Sequence, residues 1–276
     1  MKAPPKSPPA LAPSSDSPPR FAGCLQKRTW TRRDFGKACL AAGLTTISGG
    51  VHAIGPRSDI GIGHVRQGKN WNHRPEALRR LLWETGKRTS IQVARDATPL
   101  ALDDAELFYQ PLLIWTGSGD MAPLSQALRN RIARHLRFGG MLWIDALGPD
   151  DSFAVAARAE ILRLFPKENL APLPADHVLF RSYFLLDKVL GRNDAQKEAN
   201  AILLSERLAV LVTECDVLGA FERDRFGTWR FDCVPGGDAQ REQAFRFGVN
   251  VMMYATCLDY KADQVHIPFI MKKTRR

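Results

Sequence analysis

Five short polar stretches hold the residues that could do chemistry: His64 with Arg66, Gly117 to Asp120, Asp145, Asp176 with His177, and Glu214 to Asp216. Several carboxylates gathered with one imidazole would make an acid–base couple or a hard-cation site. Asp120, Asp145 and His177 are the catalytic candidates on that reading. Arg66, Gly117, Ser118, Gly119 and Asp216 are the ligand-binding candidates. All but the 176–177 pair follow an apolar run. In an open parallel sheet, ligands collect where the carboxyl ends of strands meet loops and helix N-termini. Asp after a strand is also a standard turn and cap residue, so each of these carboxylates has a purely structural alternative. His177 follows Asp176, whose charge would favour a protonated, proton-donating imidazole. Closing a turn is its other reading.

The 117–119 stretch has glycines placed to let backbone N–H groups approach a phosphate, but neither the Walker spacing nor the dinucleotide fingerprint accompanies it. Asp120 puts negative charge where an anion would sit, which favours a tight turn. Cys215 lies between Glu214 and Asp216, acidic surroundings that raise a thiol pKa and weaken a nucleophile, so a buried structural cysteine is expected. No HExxH, CxxC, GxSxG or SxxK motif occurs. No cofactor and no metal are expected, and an enzyme is disfavoured.

The elements that must position these residues follow from hydrophobic period. Apolar runs at 60–65, 89–94, 112–115, 141–144 and 208–212 read as strands. Three-to-four spacing over 75–86, 124–138, 153–165 and 242–258 reads as helices, with Pro75 at a helix start and Gly86 at its stop. Strands alternating with helices of this length imply one three-layer α/β domain with a mostly parallel sheet, close to a flavodoxin-like arrangement.

The chain has 39 Lys and Arg against 29 Asp and Glu, a formal charge of +10. Eight of those cations lie in residues 1–53 with only Asp16 and Asp34, so the remainder carries 31 against 27, or +4. That balance argues against a nucleic-acid partner. Residues 1–19 are rich in Pro and Ser and read as a disordered extension. Arg32 and Arg33, then Phe35 and Lys37, a mild apolar run, and a small-residue end at Ala53 compose a twin-arginine signal peptide. The twin-arginine translocase is then a partner during export, and the periplasm the destination. The apolar run is shorter than the roughly 20 residues a membrane span needs, and no later segment qualifies. The expected organisation is a 1–53 extension and signal, a 54–258 α/β domain and a 259–276 basic tail. Cys215, Cys233 and Cys257 would remain, permitting at most one intramolecular pair.

A resemblance adds to this. Asn70 and Trp71, the run Pro111 to Gly117 with Leu124 and Ser125 after it, and Leu136 to Asp145 with its paired Gly139 and Gly140 come in an order that resembles bacterial domain of unknown function family 4159. Phe165 with Pro166, Leu173 to Phe180, and Gly248 to Asn250 with Tyr254 agree, so the resemblance spans nearly all of 59–258. It implies a fold like class I glutamine amidotransferases and brings no activity. Thr116 to Asp120 stands where an amidotransferase would have a cysteine elbow, and a late His-x-Glu is missing. The expectation is therefore an exported, non-catalytic amidotransferase-like domain binding a small ligand or a partner protein at the carboxyl edge of its sheet. A periplasmic hydrolase or carbohydrate-acting enzyme using Asp120, Asp145 and His177 is one alternative. A structural envelope-assembly component is the other.

Overall fold

The computed structural model describes residues 59–68, 70–195 and 198–257. Seven strands form one mixed sheet: β1 Gly63–Val65, β2 Thr98–Leu100, β3 Leu112–Thr116, β4 Met141–Asp145, β5 Ala171–Pro172, β6 Asn200–Leu204 and β7 Arg207–Thr213. Their order is β2-β1-β3-β4-β7-β6-β5. From β2 to β7 every pairing is parallel, and β6 and β5 add antiparallel strands at one side. Four α-helices are seen among the described residues: α1 Ala77–Arg88, α2 Gln126–Arg137, α3 Ser152–Leu164 and α4 Gly237–Thr256.

β3 and β4 are buried along their whole length, as strands covered on both faces must be, and for that reason read as continuous apolar runs. Their side chains alternate between two cores. Leu112, Ile114, Met141 and Trp143 pack with residues of α1 and α4, whereas Leu113, Trp115, Leu142 and Ile144 pack with residues of α2 and α3. The architecture is therefore three-layered, with helix pairs on opposite faces. Trp143 meets Phe247 of α4 edge to face at 6.1 Å, and Trp115 meets Phe153 of α3 likewise at 6.1 Å.

Three departures from the periodicity have local causes. Residues 89–94 make only a single bridge, Val93 with Ile60, and the second strand is Thr98–Leu100, where Pro99 is tolerated because this strand is the sheet's edge. Helix α1 continues through Gly86 to Arg88. A Cβ on Gly86 would stand 3.3 Å from Val93, so this glycine admits the neighbouring segment rather than stopping the helix. Strand β6 returns into β7 through Ser205 and Glu206 at φ 51° and 68°. Two-residue hairpin turns of this kind usually carry Asn-Gly or Asp-Gly, and Ser-Glu gives no such signal.

No helix among the described residues is long and apolar enough to cross a membrane. The twin-arginine residues Arg32, Arg33, Phe35, Lys37 and Ala53, and the 259–276 tail, lie outside the described residues.

Candidate functional site

The connection from β1 to α1, described at residues 66–68 and 70–76, is laid over the carboxyl ends of the parallel strands. It leaves β1 where the Arg66 amide donates to Leu100 O at 2.7 Å. At the end of β3, the Thr116 hydroxyl donates to Trp71 O at 2.7 Å. That hydroxyl has one proton, so His64 Nε2, 2.9 Å away, donates to its oxygen. The imidazole is thereby held in one neutral tautomer, its edge on the Trp71 ring at 4.7 Å, and burial pushes its pKa down to about 4. Asn70 Nδ2 reaches Ser118 O at 3.3 Å. Burial, followed by the charge of Arg74, brings His73 down to about 4 as well. Arg74 then extends to β7, with Nη2 2.8 Å from Asp216 Oδ2 and Nε 3.3 Å from Oδ1.

The strand-end carboxylates are bonded inward. Asp145 is buried at the end of β4 and accepts from Thr213 Oγ1 at 2.7 Å, Val217 N at 3.1 Å and Leu218 N at 2.8 Å. It caps a short 3₁₀ turn, Leu218–Phe221, far from it in sequence. Burial, then the negative charge of Asp216, pushes its pKa up to about 7. Asp216 sits just past β7 at φ 54°, a left-handed conformation rare outside glycine. Its carboxylate takes Arg74, Arg192 and the Gly219 amide at 3.0 Å. A Cβ on Gly219 would stand 2.2 Å from Asp216 Oδ2, so glycine is required there. Glu214 is buried against Arg158. Cys215 has its thiol pKa raised by burial and then by Asp145 and Asp216. It packs so closely that a Cβ on Gly191 would lie 2.0 Å from its carbonyl oxygen. A cavity of about 320 Å³, lined by Lys188, Leu190, Gly236 and Gln240 among others, opens beside this contact.

The catalytic candidates are not assembled. Asp120 is exposed in the loop after β3, and its carboxylate has no partner among the described residues. His177 belongs to the other edge. Its ring packs 5.7 Å from that of Tyr254, whose hydroxyl accepts from the Leu208 amide at the start of β7. At about 3.3 Å per residue, that point is roughly 16 Å from the strand end at Thr213. His177 Nδ1 accepts from Leu179 N at 3.1 Å, capping a 3₁₀ turn. Burial brings its pKa down to about 4, outweighing Asp176. The expected protonated donor is corrected: this imidazole is neutral at neutral pH, because desolvation exceeds the pull of an exposed neighbouring carboxylate.

Of the ligand-binding candidates, Gly117 is buried with no room for a Cβ, which would stand 2.6 Å from the Phe153 ring. Packing, not approach to a phosphate, explains it. Gly119 at φ +77° serves the turn, Ser118 offers its carbonyl to Asn70, and Arg66 is half-exposed near Asp104 at 3.7 Å. Asp216 is wholly engaged by its arginines. No group of three or more His, Cys, Asp or Glu that could hold a metal occurs among the described residues. Cys215, Cys233 and Cys257 are free thiols. Thr116, His73, Arg74 and Arg192 emerge from the structure as participants. An arginine ahead of the first turn of α1 opposes the helix dipole, which was the available signal that Arg74 has a carboxylate to meet.

These features define a three-layer α/β domain whose strand ends are tied together by a polar network under the 66–76 strap. Residues 61–256 match the family described as Domain of unknown function (DUF4159), and the chain belongs to that family. Comparison with curated proteins returns no match.

Proposed function

We propose that this domain is an exported, non-catalytic binding module of flavodoxin-like and amidotransferase-like form, taking a small ligand or a partner protein at the carboxyl edge over β1 and β3. The parallel strands run β2-β1-β3-β4-β7. In doubly wound sheets of this order, the ligand crevice opens where the order reverses, between the first and third strands. One observation carries the reading. Asp145, Glu214 and Asp216 are consumed by internal bonds, while Arg66, Asn70 and Asp120 stand exposed around the β1 and β3 ends. Groups bonded in the interior hold a frame, whereas Asp120 is unpartnered and Arg66 and Asn70, held only by exposed contacts to Asp104 and Ser118, remain open to a ligand at the switch point. The test is a thermal-shift screen of the full chain against small carboxylates, phosphates and saccharides. A stabilising compound should lose its effect in Arg66→Ala with Asn70→Ala and keep it in Asp145→Asn. The opposite pattern refutes the reading.

The same proposal includes passage through the twin-arginine translocase to the periplasm. Its support is the order of Arg32, Arg33, Phe35, Lys37 and Ala53. Replacing both arginines by lysine keeps charge but removes the paired guanidinium groups. Arg32→Lys with Arg33→Lys should leave the precursor in the cytoplasmic fraction, and normal periplasmic recovery of that variant would contradict it.

A further inference from the structure

The opposite, amino edge of the sheet carries a second surface that the proposed ligand site does not use. Pro111 O accepts from Met141 N at 3.0 Å, so the loops entering β3 and β4 run side by side there. Both display large apolar side chains to solvent. Tyr109 is 83% exposed and Phe138 85% exposed, with Phe108 partly exposed beside them. These loops are held by packing. Phe108 lies 6.1 Å from the buried His135 ring and 4.9 Å from the Arg131 guanidinium. Gly140 is pressed so close to His135 that a Cβ would meet Nε2 at 2.0 Å.

Cations flank Phe138, and Arg131 stands beside Phe108. Arg129, Arg134, Arg137 and Arg163 line a groove of about 470 Å³ between α2 and α3, together with Phe138 and Leu164. Glu160, 1% exposed, pairs with Arg129 at 2.9 Å and with Arg163, and so fixes both guanidinium groups from below. Arg134 and Arg137 are exposed and have no carboxylate partner among the described residues. Basic residues in a last helical turn complement the helix dipole. That does not account for a buried glutamate positioning two more arginines, nor for the exposed Phe138 ring at the groove.

We propose that this amino edge docks on an anionic lipid bilayer. Arginines on the helix turns meet headgroup phosphates, and Phe138, Tyr109 and Phe108 at the loop tips bed into the interfacial layer. Charge complementarity and the aromatic tips argue for this occupant. The charge of residues 54–276, only +4, argues against a nucleic-acid strand, which draws on a broader positive field. The docked orientation leaves the carboxyl edge facing away from the membrane.

The experiment is amide hydrogen exchange of the full chain with phosphatidylglycerol-containing vesicles, with pure phosphatidylcholine vesicles, and with a single-stranded oligonucleotide. Reading individual segments matters because basic residues in 1–53 could also draw the chain to anionic vesicles. Residues 105–110 and 134–140 should gain protection with the anionic vesicles alone. Arg134→Gln with Arg137→Gln should weaken that protection by about tenfold or more in lipid concentration, since both lose their attraction to an anionic surface. Tyr109→Ser with Phe138→Ser should weaken it too, with both double variants melting as the parent does. No protection in these two segments, equal protection with phosphatidylcholine, protection by the oligonucleotide instead, or protection indifferent to either double substitution would overturn the proposal.

Discussion

Asp145 is surrounded by three donors and shut away from water, and its two protonation states both fit the network. Thr213 Oγ1 accepts from Trp143 Nε1 at 2.9 Å and lies 3.3 Å from Ile144 O. Its one proton can point to Asp145 or, when Asp145 carries a proton of its own, to Ile144. Asp145→Ala would leave the amides of Val217 and Leu218 without acceptors, and urea unfolding should show a loss of about 3 kcal/mol, since each unsatisfied buried group costs about 1–3 kcal/mol. A loss below about 0.5 kcal/mol would remove the capping role. The raised carboxyl gives a pH signature. With a folded pKa of about 7 against an ordinary value of 3.8, the folded protein binds more protons than the unfolded chain between those values. Stability from this group is complete below the lower value and is lost as pH rises through about 7. Asp145→Asn should therefore gain on the parent as pH rises from 4 to 7. His177 is neutral and caps a turn, and His177→Ala should cost about 1 kcal/mol through its lost cap without affecting any ligand bound at the carboxyl edge.

At the scale of elements, the strap over residues 66–76 depends on Arg74. This side chain reaches from just ahead of α1 to Asp216 beyond β7 and rests 4.3 Å above the Phe231 ring. Arg74→Ala leaves Arg192 to hold the carboxylate, so the expected loss is about 2 kcal/mol, below the 3–5 kcal/mol of a buried charge left wholly unpaired. Amide exchange in 70–76 should accelerate while β4 stays protected; unchanged exchange there would mean that the strap is held without Arg74. Much of this frame was legible in the residues. Continuous apolar runs marked β3, β4 and β7, and three-to-four spacing marked α1, α2 and α3. Strand β6 was hidden by an uncharacteristic Ser-Glu turn, and β2 by three residues with a central proline. The site was legible by position but not by role. Strand-end carboxylates stand out in a sequence, whereas Arg74 and Arg192, which neutralise Asp216 from 142 and 24 positions away, leave no local pattern.

Across the whole molecule, two buried and two half-buried imidazoles set the acid response. His64, His73, His135 and His177 all have pKa values lowered to about 4 from 6.5, with burial the largest cause. Folding keeps them neutral, so between about 4 and 6.5 the unfolded chain binds more protons at these four groups. Their contribution is full above 6.5 and is lost as pH falls toward 4. Asp145 and Glu222, both raised by burial, work in the other direction but are outnumbered. The melting temperature should climb from pH 4.5 to 6.5 and level off above; a maximum near pH 5 would mean that the imidazoles are solvated.

On the proposed reading, the carboxyl edge binds and does not catalyse, with its buried carboxylates serving as frame. The deciding measurement is amide chemical-shift mapping of the full chain against phosphate, small carboxylates and monosaccharides. Any binder should shift the amides of Arg66, Asn70, Ser118 and Gly119 first and be recovered unchanged after prolonged incubation. Shifts centred on Asp145 and His177 together, or conversion of the added compound that disappears in Asp145→Asn, would contradict that reading.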